Sequence, residues 1–449
     1  MSEGLHDSVA QVHRIHSQTL AGCSAWPGLK SCFIAWTRNR RLKGSSSITS
    51  VEVRERRKRP SNPARSSHTR RTFVRVLEGR ARFLFSILVV LGFRLLTAAV
   101  VYYSAQNYFQ FFSTPWVDRL NVPANYQPSW VLLFYGWDSE WYLGIAQNWY
   151  ARTNSYNFFP AYPVLTRLVS IALFNNYLLA GFIASFPFGL VAAPLFQRFA
   201  ENFMDRGNAL AVTLLFSLFP FVSLFSSVAY AEPLFLTSSL AALELDMRGR
   251  SLSSWLMAAV ATLTKSYGLL IVLPLVLNHY RRREFRKQLA LAAIPIGALV
   301  GWMAYLKLAT GDWLAFVAAH YAGWAPWENF DTVKYVQSVL TLNYSGLATG
   351  FITKAIMAFS LIFIVMSLAA QGLPRSLRAY CIVGCFAILL GQIQGFLRYF
   401  PFLIFPVWLT FRIRTPLLWP ILLFFYFIVS VMIWFSFVLS GFTYQGWVG

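Results

Sequence analysis

Phe83-Leu84-Phe85-Ser86-Ile87-Leu88-Val89-Val90-Leu91-Gly92-Phe93-Arg94-Leu95-Leu96-Thr97-Ala98-Ala99-Val100-Val101 carries a single charge, and its length decides the fold class. An α-helix needs roughly 20 apolar residues to cross about 30 Å of hydrocarbon, so the run at about 82 to 103 is predicted to span a membrane. Comparable runs follow at about 177 to 196, 208 to 228, 233 to 247, 252 to 264, 267 to 280, 289 to 308, 346 to 369, 379 to 396, 400 to 411 and 416 to 438. Together they predict an all-α polytopic membrane protein of about 11 transmembrane helices. No ten-residue alternating pattern indicates a barrel. Of 449 residues, 57% are hydrophobic and only 12% charged, too little polar surface to clothe a soluble globule.

The stretch 252 to 280 is too long for one straight helix and too short for two full spans. Thr264-Lys265-Ser266-Tyr267-Gly268 is its natural break. Read as a hairpin, it leaves Arg198, Arg206, Arg248, Arg250, Arg281, Arg282, Arg283, Arg286, Lys287, Arg375, Arg378, Arg412 and Arg414 on one face, as the positive-inside tendency requires of a cytoplasmic side. A single span there would send the Arg281 to Lys287 cluster outward. The opposite face then receives a long first outer loop, 104 to 175, and a second, 309 to 345. Within the first, Val164 to Phe174 is too short to cross and is predicted to lie along the interface.

Residues 1 to 80 hold sixteen Lys/Arg against five acids, including Arg54-Glu55-Arg56-Arg57-Lys58-Arg59. Such a segment cannot bury a core and is expected to be a disordered, basic cytoplasmic tail ahead of a transmembrane domain at 81 to 449. No specific nucleic-acid partner is expected; attraction to anionic lipid, or simple retention on the cytoplasmic side, accounts for the charge. No cleavage site follows a secretory apolar region, so the first span is expected to stay as an anchor. Cys381 and Cys385 lie four residues apart within an apolar run, a spacing that suits packing rather than a metal site.

Only twelve acids lie beyond the tail, and two of them occur in Gly136-Trp137-Asp138-Ser139-Glu140-Trp141-Tyr142 on the outer face. A carboxylate partly desolvated among aromatic rings suits a general base, and the rings suit stacking against a sugar. The same pattern also describes an ordinary interfacial aromatic belt with solvated acids. Asn157-Phe158-Phe159-Pro160-Ala161-Tyr162-Pro163 reads as a rigid turn downstream. Arg152, Lys265, His320 and Arg398 share the outer compartment and could meet the charge of a lipid phosphate, although each could equally be a snorkelling or ion-paired side chain. Glu232 begins a helix, where an anion is favoured by the dipole, so capping is the alternative to a site role. There is no Gly-rich phosphate loop and no hydrolase elbow, and no bound metal is expected.

Read in order, these pieces resemble the PIG-V-like mannosyltransferases of the GT-C glycosyltransferase superfamily. The likeness runs through Arg94-Leu95-Leu96-Thr97, Trp137-Asp138, the Phe158-Phe159-Pro160 turn, Leu218-Phe219-Pro220, Ala229-Tyr230-Ala231-Glu232-Pro233-Leu234-Phe235, Leu263-Thr264-Lys265-Ser266-Tyr267-Gly268 and Arg398-Tyr399. It covers roughly residues 82 to 411. Phe219, Ala231 and Lys265 stand where the family often has Ser, Ser and Arg.

The resemblance implies a GT-C-type bundle and an inverting transfer of a mannosyl or related residue from a polyprenyl- or dolichyl-phosphate sugar to a lipid-linked or glycan acceptor. It implies Asp138 as base, with Glu140 second. Trp137, Arg152, Glu232, Lys265, His320, Arg398 and Tyr399 would bind substrate, and neither a metal nor a cofactor would be needed. A flippase for lipid-linked sugars, or a non-catalytic subunit of a glycosylation complex, remains open on the residues alone. Short loops favour a prokaryotic plasma membrane; in a eukaryote the endoplasmic reticulum membrane is expected.

Overall fold

The computed structural model describes residues 63–108, 129–280, 282–323, 362, 364–370, 372–391, 396–411 and 418–443. The expectations for residues 1 to 62, for 109 to 128, for 324 to 345 and for most of the span at 346 to 369 fall outside them. The chain divides into two units, Met1–Ser67 and His68–Gly449, and the site described below lies in the second.

The described elements are helices and short 3-10 turns, with no strand among the described residues. Helix α1 (Pro63–Tyr108) begins well before the expected boundary near residue 81. A 3-10 turn (Ser129–Phe134) leads to α2 (Ser139–Asn148) and α3 (Ala161–Ala172). Then come α4 (Tyr177–Glu201), α5 (Arg206–Ser217), α6 (Pro220–Phe225), α7 (Glu232–Met247), α8 (Ser251–Thr264), a 3-10 turn (Ser266–Ile271) and α9 (Val272–Asn278). Helices α10 (Phe285–Leu291), α11 (Ala293–Thr310), α12 (Ala315–Gly323), α13 (Arg375–Gly391), α14 (Phe396–Leu403) and α15 (Leu418–Thr443) complete the described chain.

Four segments are long and apolar enough to cross a bilayer: Ala81–Ser104, Tyr177–Glu201, Phe285–Thr310 and Leu418–Phe435. The protein is therefore a membrane protein. Among the described residues the other expected spans are shorter helices or pairs of shorter pieces, and proline and glycine explain two of the breaks. The run at 208 to 228 is not one helix. Pro220 has no N–H to donate and forces Phe219 out of the helical region, so α5 stops and α6 starts afresh. The chain at 252 to 280 turns back at Lys265, whose backbone is extended. Gly268 then meets α8 so closely that an added Cβ would lie 2.1 Å from the Ala261 carbonyl oxygen.

Capping sets other boundaries. Asn176 accepts from Leu179 N at 3.0 Å to start α4, and Asp205 accepts from Gly207 and Asn208 N at 3.1 Å to start α5. Gly311, with φ 83°, ends α11. Helix α3 buries Tyr162, Pro163, Thr166 and Ser170 and exposes Leu168 and Ile171, a one-sided apolar face suited to the interface.

Helix α7 is buried nearly all round and packs between α4 and α8 at the centre. The irregular link before it, 226–231, is buried, so its backbone needs partners from elsewhere. Arg94 Nη1 donates to Ser226 O at 3.3 Å, Ser185 Oγ to Val228 O at 2.6 Å, Ala229 N to Phe134 O at 2.9 Å, and Ser139 Oγ to Ala229 O at 3.3 Å. The intramembrane Arg94 thus answers a backbone carbonyl at the end of α6. Gly189 of α4 permits the approach, because a Cβ there would lie 1.9 Å from Ser226 O.

Candidate active site

Asp138 sits at the N-cap of α2 but makes no side-chain cap there. Its backbone is fixed from two sides. Asp138 N donates to the Tyr230 hydroxyl at 3.0 Å, and that hydroxyl donates to Gly136 O, also at 3.0 Å. The preceding Trp137 has φ 43°, a left-handed conformation that is costly for a bulky residue and persists only where surroundings impose it. Its ring packs against Phe437 at 5.0 Å between centroids and Phe225 at 6.3 Å. The carboxylate turns away from its own helix toward a residue far along the chain.

That residue is Arg398 of α14. Its Nη1 lies 2.6 Å from Asp138 Oδ2, while its Nε lies 2.5 Å from Glu232 Oε1. Lys265 Nζ reaches the same Glu232 oxygen at 3.2 Å. Glu232 opens α7 and is fully buried, yet its side chain serves the two cations rather than the helix end. Aromatic rings enclose the positive groups: the Arg398 guanidinium lies 4.5 Å from Tyr230 and 5.1 Å from both Phe225 and Tyr399, and Lys265 lies 4.9 Å from Tyr399.

Asp138, Glu232, Lys265 and Arg398 thus form an alternating chain of two acids and two bases, formally neutral, at the joints between helices. Burial raises the Glu232 carboxyl, but Arg398 and Lys265 outweigh it and hold the group below its ordinary range. Burial lowers the Lys265 ammonium, and Glu232 offsets this only in part. Around Arg398, burial pulls the guanidinium down but Glu232, Tyr399 and Asp138 more than compensate.

The sequence-derived candidates divide here. Trp137, Asp138, Glu232, Lys265, Arg398 and Tyr399 come together. Glu140 and Arg152 instead pair with each other at 3.2 Å on a more exposed surface, with Arg152 also 5.6 Å from the Trp141 ring. His320 lies on α12, which packs on the turn Thr153–Asn157 next to Arg152. Tyr230, which the sequence offers only as part of the Ala229 to Phe235 stretch and not as a site residue, joins the cluster; its hydroxyl links the acidic loop to the buried segment. Cys381 and Cys385 are both buried free thiols. Among the described residues no cluster of His, Cys, Asp and Glu has the form of a metal site.

A family model described as mannosyltransferase (PIG-V) matches residues 82–308, about half of the chain, including three of the four clustered residues. GPI mannosyltransferase 2 of Drosophila melanogaster is 29% identical over 144 residues, which cover 28% of this chain. The alignment spans 32% of that relative's length. On the family match, the chain belongs to the mannosyltransferase (PIG-V) family.

Proposed function

We propose that the protein is an inverting glycosyltransferase that moves a mannosyl residue from a polyprenyl- or dolichyl-phosphate donor to a lipid-linked or glycan acceptor. The observation that carries this reading is the largely buried cluster in which Arg398 bridges Asp138 and Glu232, within a chain of a mannosyltransferase family. With eleven crossings, as the apolar runs indicate, and a basic tail at 1 to 80 on the cytoplasmic side, the cluster faces the outer or lumenal compartment. The host membrane is the prokaryotic plasma membrane, or the endoplasmic reticulum in a eukaryote.

In the proposed step, an acceptor hydroxyl oxygen attacks the anomeric carbon while the bond from that carbon to the phosphate oxygen breaks. Asp138 takes the hydroxyl proton, and the lipid phosphate leaves with the bonding electron pair. Inversion follows from attack opposite the leaving group. Arg398 and Lys265 meet the charge that grows on the phosphate, where a low-dielectric surrounding makes such contacts strong. This division of labour needs no metal to act as Lewis acid.

The neutrality of the cluster adds a constraint. Arg398 Nη1 already holds Asp138, so the carboxylate cannot receive a proton freely until that contact loosens. A donor phosphate competes for the same guanidinium and releases Asp138 as it binds. Glu232 keeps Arg398 anchored through Nε during the exchange. Glu140, Arg152 and His320 act, on this reading, at the acceptor side of the outer loop.

The test is a transfer assay with purified protein, radiolabelled polyprenyl-phosphate mannose and a panel of lipid acceptors, with a GPI-type lipid among them because of the relative's name. A labelled product that depends on Asp138 supports the reading; movement of the lipid-linked sugar across a bilayer without any transfer would favour a flippase instead.

A further inference from the structure

Far from the acidic cluster, the chain joining α9 to α10 forms an open groove of about 550 Å³ lined by Tyr280, Arg282, Arg283, Phe285 and Arg286. Helix α7 measures the separation. Glu232 opens it, and near its other end Asp246 Oδ1 lies 2.7 Å from Nε2 of His279, the residue preceding Tyr280. Fourteen helical steps at 1.5 Å put roughly 21 Å between Glu232 and Asp246. The groove therefore belongs to the opposite end of the bundle and has no part in the transfer site.

Its cations lack, among the described residues, the carboxylate contact that four others make. Arg152, Arg248, Lys265 and Arg398 all answer a carboxylate. Among the described residues, Arg282, Arg283 and Arg286 have no ion-pair partner, although Glu284 shares their turn. Backbone bonds run from Arg282 N to His279 O at 2.9 Å and from Phe285 N to Arg282 O at 3.1 Å. Tyr280 and Phe285 meet edge to face, 5.6 Å between centroids, and wall one side.

The groove also opens onto a lipid path. Phe285 begins the membrane-crossing segment Phe285–Thr310. At 100° per residue, Leu289, Ile296 and Val300 fall within about 60° of Phe285 on the helix surface, and all three are exposed. An apolar stripe thus runs up the span from a nest of unpaired guanidinium groups. A ligand that satisfies both has an anionic phosphate at one end and a hydrocarbon chain at the other.

We propose that this groove holds an anionic phospholipid, with its phosphate on Arg282, Arg283 and Arg286 and an acyl chain along Leu289, Ile296 and Val300. Planar guanidinium groups grip phosphate oxygens in pairs, and Tyr280 and Phe285 stand at the start of the membrane-crossing segment, where aromatic rings favour a bilayer interface. The site is independent of the glycosyl-transfer reading and stands or falls without it.

The experiment uses the full chain purified from vesicles of phosphatidylcholine with and without phosphatidylglycerol, reading retained lipid by native mass spectrometry and stability by thermal unfolding. Wild type should keep phosphatidylglycerol in preference to phosphatidylcholine and be stabilised by it. The combined variant Arg282→Gln, Arg283→Gln, Arg286→Gln should lose the preference by at least about tenfold, and Arg282→Lys, Arg283→Lys, Arg286→Lys, which keeps the charge but not the paired grip, should fall between the two. No preference in wild type would overturn the proposal, and that measurement needs no variant to fold. Equal retention by wild type and the glutamine variant would overturn it too, as would equal stabilisation by inorganic phosphate alone, which would assign the groove to a soluble anion.

Discussion

Arg398 Nη1 and Asp138 Oδ2 lie 2.6 Å apart although 260 residues separate them in the chain. The contact joins the start of α2 to a helix late in the sequence, and the same guanidinium reaches Glu232. The proposed base, anchor and phosphate ligand are therefore one electrostatic unit, and changes at each should differ in kind.

Asp138→Asn removes both the proton acceptor and one competitor for Arg398. Transfer should fall by about 10² to 10⁴-fold, while polyprenyl phosphate should bind more tightly than to wild type. Activity and equilibrium binding measured on the same preparation check the pair; near-wild-type turnover would remove Asp138 from the base role.

Glu232→Ala leaves Arg398 and Lys265 buried with less compensation, and a broken buried ion pair costs about 3–5 kcal/mol. Glu140→Ala breaks only the exposed pair with Arg152, worth about 0–1 kcal/mol. Thermal unfolding in detergent should rank the two in that order, and equal losses would contradict the burial difference.

Acid should act through Glu232. Its folded-state pKa lies below its ordinary value of 4.5, so its contribution to stability is complete above 4.5 and is lost as pH falls through the folded value. Melting temperature followed downward from pH 5 should show a drop that Glu232→Gln lacks.

Gly189→Ala drives a methyl group into Ser226 O, a backbone atom that cannot swing aside. The link 226–231 must shift, at about 1–3 kcal/mol or more, and Tyr230 and Glu232 shift with it. Expected are a lower melting temperature and a lower kcat together. Gly92→Ala, where nothing lies within 4 Å of the added Cβ, should change neither.

A chelator should leave transfer unaltered if, as proposed, Arg398 and Lys265 supply the positive charge that the departing phosphate needs. Loss of activity with EDTA, restored by a divalent cation, would require a different account of the leaving group.

The helical, membrane-crossing character was legible from the apolar runs, because the hydrocarbon thickness sets their length. The turn at Lys265 was legible as well, from a polar residue and a glycine inside an apolar stretch. The break before Pro220 was readable in principle from the proline, yet the hydropathy of 208 to 228 is continuous and masks it. The start of α1 at Pro63 carries no apolar signal at all.

By itself the sequence determined the solvent of this protein, its helical class and a short list of rare charges among apolar residues, since each follows from local composition and spacing. It could not say which charges meet. Glu140 is two residues from Asp138 and equally acidic, but it points to Arg152 at the surface, whereas Asp138 points to Arg398. That choice depends on the direction of α2, fixed through Tyr230 and Ala229, and on the buried link that Gly189 lets approach α4. Ion pairing at a few ångströms is decided by how distant helices pack, and only the tertiary structure supplies that distance.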